Sequence, residues 1–364
     1  MRFIFLFIAF VSCTLPAFSA VRGAYQHRFA LEGDVVYWKR AKNQNKSLVE
    51  AAGGPPEPFP IIPIEPPIIP IDPPFVPIFP IDPTFEMPPE CAKEPGKTFI
   101  SSRDLVNDMH FDAGLRVSAK LFYSIHSTWS LTYTGMLSWK GDKSMQCPLN
   151  LNLPGELGLS TFDYHYASRA DTTYRSDFYT IDLTYSRHVT PRYVDHFSVS
   201  WMIGARFIDL DEKLKLYFSK FSNTRFSRTS LYRVKTHNRA FGPFFGGSFE
   251  YNPYRFLTWG MTGNLGALAN CAEQKTLMKD RNNTLVIRDF SPSGTNFAYF
   301  AHIYPFLEFR FVKFFTFRLG YEMLYIGRVA LADHQLIFHG SGDHLNNDGN
   351  IIYHGLFAGV QFNF

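Results

Sequence analysis

A chain of 364 residues, 46% apolar and 17% aromatic with only 19% charged side chains, carries too much core-forming material to stay unfolded. Its net charge of +4 is small and its basic residues are scattered, which excludes the basic stripe of a nucleic-acid binder. Beyond the first segment no run of about 18 apolar residues occurs, so a bundle of membrane-crossing helices is excluded; an exported all-β protein or a transmembrane β-barrel remains.

The N-terminus reads as a signal peptide over 1–19. Arg2 opens it, 3–11 is an unbroken apolar run, Pro16 ends that run, and Ala17 and Ser19 sit at the small-residue positions of a cleavage site. Without this segment three cysteines remain: Cys91, Cys147 and Cys271. An odd number in an exported chain implies one bridge plus a free thiol, or a bridge to another chain.

A first strand is expected over 30–40, followed by a long loop over 41–107 and the remaining barrel over 108–364. The loop contains a proline-rich stretch, 55–90. Pro60, Pro63 and Pro66 begin a seven-residue repeat that recurs at Pro67, Pro70 and Pro73 and again at Pro74, Pro77 and Pro80. Proline at every third position within each unit fits a polyproline II spacer. The Ile and Phe residues between the prolines are more than a solvated spacer needs and suit an exposed docking arm.

Period-2 alternation then predicts nine further strands, near 111–123, 127–140, 176–188, 194–209, 239–251, 255–269, 297–310, 314–327 and 351–364. Trp129, Trp139, Tyr179, Tyr185, Trp201, Trp259, Tyr321 and Tyr325 fall on the apolar faces, which would meet lipid. Long and short connections alternate along the chain. This is the asymmetry of an outer-membrane barrel, with short periplasmic turns, longer external loops and an even strand number that puts both termini in the periplasm. The three cysteines fall in the long loops. Segments 212–220 and 229–237 could add a further hairpin, making twelve strands instead of ten.

The last strand carries Leu356, Val360, Phe362 and Phe364 on one face and ends on that Phe. Such an ending resembles the C-terminal signal by which the barrel-assembly machinery recognises its substrates.

Several segments resemble two outer-membrane barrel families. Asp34-Val35-Val36-Tyr37-Trp38 resembles the opening strand of the planctomycete-type β-barrel porins and of the Legionella-type pore-forming outer-membrane proteins. The stretch from Gly204 through Phe207 to Leu210-Asp211-Glu212 is similar to the planctomycete-type pattern, as are Asn238, Phe241, Gly242 and Gly246, and Gly320-Tyr321-Glu322 followed by Val329 and Gln335. The likeness covers most of 30–40 and 110–364, and implies a pore-forming barrel. The proline repeat departs from it, so no role for that arm is inherited.

On the polar face, Arg116, Lys120, Asp182, Arg206, Glu308, Arg318 and Glu322 would line the lumen, with Asp182 beside Arg206 and Glu308 beside Arg318 on neighbouring strands. They read as ion pairs bracing a narrow barrel, or as a constriction without strong ion selectivity. Ten strands leave at most a narrow conduit. The last loop gathers Asp333, His334, His339, Asp343, His344 and Asp348, a spacing that could meet a metal or serve a hydrolase, but it reads first as a solvated loop. No Gly-x-Ser-x-Gly, Walker or HExxH motif is present. The expected function is a porin-like channel for small solutes, with no catalytic residue, metal or cofactor. The alternative is a surface structural or adhesive protein whose barrel anchors its loops. Expected partners are outer-membrane lipid, the assembly machinery, and a second copy or a disulfide-linked envelope protein.

Overall fold

The computed structural model describes residues 28–42, 45–52, 91, 94–124, 126–189, 196–220, 228–312, 314–340 and 343–364. The signal peptide and the proline repeat lie outside the described residues.

In chain order the elements are β1 (Phe29–Lys42), β2 (Ser47–Ala51), β3 (Thr98–Ser101), α1 (Ser102–Asp108), β4 (Asp112–Ser124), β5 (Ser127–Asn152), α2 (Gly155–Ser160) and β6 (Ala167–His188). They continue with β7 (Phe197–Lys220), β8 (Arg228–Tyr254), β9 (Leu257–Asp280), β10 (Leu285–Phe290), β11 (Ser293–Val312), β12 (Phe315–Val329) and β13 (Gly349–Asn363). Ten of these strands form one closed antiparallel ring, in the order β1, β4, β5, β6, β7, β8, β9, β11, β12, β13 and back to β1. Closure matters physically: in hydrocarbon, only a sheet without edges satisfies every backbone donor and acceptor. The seam pairs the two ends of the chain, Ala30 with Asn363 through Lys42 with Ile351.

The ten expected strands are all present, and no twelfth-strand hairpin forms. Residues 212–220 and 229–237 instead prolong β7 and β8, which stay paired from Phe197 with Tyr251 to Lys220 with Arg228. The regions read as long loops over 141–175, 210–238 and 270–296 are likewise mostly strand, because the alternation continues there in inverted phase. On β7 the outward residues run Val199, Trp201, Ile203, Ala205, Phe207 and then Asp209, Asp211, Lys213, Lys215. The inward ones run Ser198, Ser200 and Arg206, then Ile208, Leu210, Leu214, Leu216 and Phe218. The apolar outer band from Phe197 to Phe207 spans ten residue steps, ~33 Å along a strand and ~25 Å along the axis at a tilt of about 40°. That height matches the hydrocarbon of an outer membrane. Above that band the same strands continue with charged side chains outward.

The phase of β5 also changes. A bulge between Thr134 and Leu137 leaves Met136 at a φ of 65° and inserts one residue relative to β6. Met136 therefore points outward, 72% exposed, and Trp139 points inward at 1%. The lipid-facing reading of Trp139 is overturned; its ring stacks on Tyr353 at 4.9 Å and its Nε1–H donates to the Trp38 carbonyl at 3.0 Å. Trp129, Trp201, Trp259 and Tyr321 are exposed on the outer wall.

The outer half of the lumen is a packed core. Trp38, Phe178, Tyr353, Leu210, Leu214, Phe218, Val234 and Ile326 fill it from the wall. The described parts of the expected loop 41–107 include elements that fold back to join them. β2 pairs with β3 and β5, and α1 buries Leu105 and Val106. Ser101 caps α1 in a capping box with Asp104, the side chain of each meeting the backbone of the other. A disulfide joins Cys91 to Cys147 and leaves Cys271 free and exposed. Cys147 lies within β5 and Cys271 within β9, not in loops, because those strands run on past the lipid.

Candidate functional site

The inward side chains of the membrane half meet in a belt. β6 and β7 run in register there, so Asp182 faces Arg206 directly, and Arg206 grips it with two hydrogen bonds of 2.7 and 2.6 Å. The second guanidinium nitrogen also reaches His302 Nδ1 at 3.3 Å, and His302 Nε2 lies 3.2 Å from Glu322. A neutral ring that accepts at Nδ1 and donates from Nε2 satisfies both neighbours. Glu322 in turn accepts from Arg116 at 2.6 Å, and Arg116 donates to Thr134 at 3.2 Å and lies 3.6 Å from Asp34. A second chain of charges runs beside the first. Lys120 and Arg318 both pair with Glu32, Lys120 donates to Gln361 at 2.9 Å, and Arg318 stands 3.2 Å from Glu308.

All seven sequence-derived lumen residues, Arg116, Lys120, Asp182, Arg206, Glu308, Arg318 and Glu322, therefore lie on the inner wall and interlock. The sequence reading missed Glu32, Asp34 and His302, which complete the network. Their positions were accessible: Glu32 and Asp34 share the phase of Val36 and Trp38, opposite the outward Val35 and Tyr37. Aromatic faces support the cations. Arg206 lies 4.2 Å over Phe300, and Phe357 is flanked by Arg116 at 5.3 Å and Arg318 at 5.8 Å. Charges this deep persist only when paired and hydrogen-bonded.

The belt borders a cavity of about 170 Å³ lined by its own charges, among them Lys120, Asp182 and Arg206, and by hydroxyls such as Ser118, Thr132 and Ser200. Trp38 and Leu324 bound it on the outer side. Beyond them lies the packed core, sealed by the β12–β13 loop.

That loop is held by polar pins. Arg40 and Glu212 form an ion pair at 2.5 Å, both fully buried, and the Tyr174 hydroxyl donates to Glu212 at 2.7 Å. Glu212 also accepts from the Ala332 backbone at 3.0 Å. The Asn238 amide bonds Ala330 through both its N–H and its C=O, each bond at 2.8 Å. Arg288 donates to the Ile337 carbonyl at 2.8 Å and Lys46 to that of Leu336 at 2.7 Å. Burial lowers the Lys46 ammonium to about 8. Asp333 is buried beside Tyr174, 3.4 Å from its hydroxyl, whereas Asp343 and His344 are exposed. The carboxylates and imidazoles of this loop do not converge. Among the described residues, the metal-ligand grouping that does converge is Asp209, Asp211 and His237 on the outer wall.

The C-terminal strand presents Leu356, Phe362 and Phe364 to the outside, with Val360 between them half-buried, while Phe357 and Gln361 face the belt.

No family model matches the chain, and no curated protein matches it. Among solved structures, the outer membrane protease OmpT of Escherichia coli aligns over 95% of this chain and 99% of its own, at 7% identity and a TM-score of 0.49. A Pseudomonas aeruginosa FadL homologue aligns over 93% and 91%, at 9% identity and a TM-score of 0.28. The structure itself defines the fold class: the chain is a closed, antiparallel ten-stranded β-barrel.

Proposed function

We propose that this protein resides in a Gram-negative outer membrane, with both termini periplasmic, and acts as a closed barrel that anchors a folded surface cap: a structural or adhesive protein. The observation carrying this reading is the packed outer half of the lumen. A diffusion pore needs a wetted path from end to end, and here Trp38, Tyr353, Leu214 and the pinned β12–β13 loop occupy that path as core. The even number of strands and the tight turns at one end support the orientation. The exposed apolar face of β13 suits recognition by the assembly machinery.

The porin-like reading, which the resemblance to pore-forming families also implies, is the second one. The polar cavity lined by the belt favours it, and in that reading the β12–β13 loop is a gate. Planar-bilayer recording of the refolded full chain separates the two. The anchor reading expects no ion steps, and expects adhesion to host surfaces to fall when 55–90 are deleted. Steady conductance by the unmodified chain would overturn it.

A further inference from the structure

Above the apolar band, the strand register sorts the charge on the outer wall from β5 to β9 into rows that cross the strands at right angles. Direct cross-strand partners run Lys140–Arg175–Lys213–Lys235–Lys275. One row nearer the membrane the partners run Ser138–Asp177–Asp211–His237–Glu273. All these side chains point away from the barrel.

Like charges placed directly opposite one another destabilise a sheet. Two members of the basic row have carboxylates of their own: Lys140 with Asp142 at 2.6 Å and Arg175 with Asp177 at 3.0 Å. Among the described residues, Lys213, Lys235 and Lys275 have none within ion-pair distance. Desolvation and the nearby Lys215, Lys235 and Arg233 hold the Lys213 ammonium below its usual value. The row borders a depression of about 730 Å³ that Ser291 and Ser293 also line, with Asp177, Asp211 and Glu273 of the acidic row lining it as well. An anionic partner is what this surface lacks.

Height selects the partner. Lys213 lies six residues beyond Phe207, where the unbroken apolar outward run of β7 ends, so it stands ~15 Å above that run at a tilt of about 40°, with Lys235 and Lys275 within several ångströms of that height. Phospholipid head groups reach only ~5–8 Å above the hydrocarbon. The intervening acidic row would repel a phosphate at that lower level. We propose that Lys213, Lys235 and Lys275 bind the phosphate groups borne on the saccharide head of an outer-leaflet glycolipid. The proposal rests on the membrane reading above.

The test uses the full chain refolded in detergent micelles and titrated with four probes: lipopolysaccharide carrying core phosphates, the same material dephosphorylated, phosphatidylglycerol, and heparin. The variant K213Q/K235Q/K275Q is compared with K39Q/K97Q, with folding of each checked by heat-modifiable gel mobility. The expected result is binding of the phosphorylated glycolipid that falls roughly fivefold per lysine removed, on the order of a hundredfold for the three. K39Q/K97Q and the unmodified chain should bind alike. Equal binding of the dephosphorylated material or of phosphatidylglycerol, or no loss in the triple variant, overturns the proposal. Row-dependent binding of heparin alone overturns it in favour of a soluble polyanion. Insertion into phosphatidylcholine vesicles, read by protease protection, tests the membrane assignment separately. Failed insertion removes both readings; intact insertion with unchanged glycolipid binding removes only this one.

Discussion

The two halves of the barrel are built from the same strands with opposite polarity. In the membrane half, Trp201, Ile203 and Phe207 face out while Ser200 and Arg206 face in. A few residues later on the same strand, Asp211 and Lys213 face out while Leu214 and Leu216 face in. The lower half carries apolar side chains outside and hydrogen-bonded charge inside. The upper half is organised as a soluble β-protein with its own core. Stability in the lower half rests on hydrogen bonding and ion pairing, and in the upper half on apolar burial. A single strand can serve both because side chains alternate and the pattern need only slip by one residue, as it does at Phe207-Ile208.

The largest test of this contrast is functional. If the upper core closes the barrel, replacing 331–339 with a Gly-Ser linker should turn a silent protein into one with discrete ion steps in a planar bilayer. Continued silence would mean the wall residues alone suffice. Next in size is the Arg40–Glu212 pair. Glu212→Ala strands a buried guanidinium and should cost about 3–5 kcal/mol in urea unfolding from vesicles, whereas Arg40→Met with Glu212→Leu should cost far less. Trp139→Ala should cost about 3–5 kcal/mol as a core truncation, while Trp129→Ala, which loses mainly its ring contact with Tyr185, should cost about 1 kcal/mol. Equal costs would deny that the bulge turns Trp139 inward. The smallest effect is pH. The Lys46 ammonium is held at about 8 in the folded protein against 10.5 when free. Unfolding therefore takes up a proton between those values, and stability should rise with pH across that window. Lys46→Met should abolish that part of the rise.

The membrane half was largely legible from sequence because lipid imposes strict alternation. Strand number, the Asp182–Arg206 and Glu308–Arg318 pairings and the outward Trp129 and Trp201 all follow from period 2. The upper half was not, for two local reasons. The slip at Phe207-Ile208 reads as the end of a strand when it is only a change of environment. The bulge at Met136 shifts every later residue of β5 by one, and Trp139 with them. The belt was half visible. Arg and Asp on a polar face announce themselves, but His302 shares its inward phase with Phe300 and Phe306, and Glu32 and Asp34 sit on a strand that pairs on one side with β13, far along the chain. Nothing in the sequence announced that the β12–β13 loop would be held inside, because its pins, Asn238, Glu212 and Arg288, come from distant strands.

The seam between β1 and β13 imposes an order of events on biogenesis. The Arg28 amide donates to the Phe364 carbonyl at 2.8 Å, and the Phe364 amide to the Phe29 carbonyl at the same distance. Until that final strand is delivered, the growing ribbon has two raw margins and no way to enter hydrocarbon. Closure of the ring must therefore wait for β13, the strand that supplies partners to both β1 and β12.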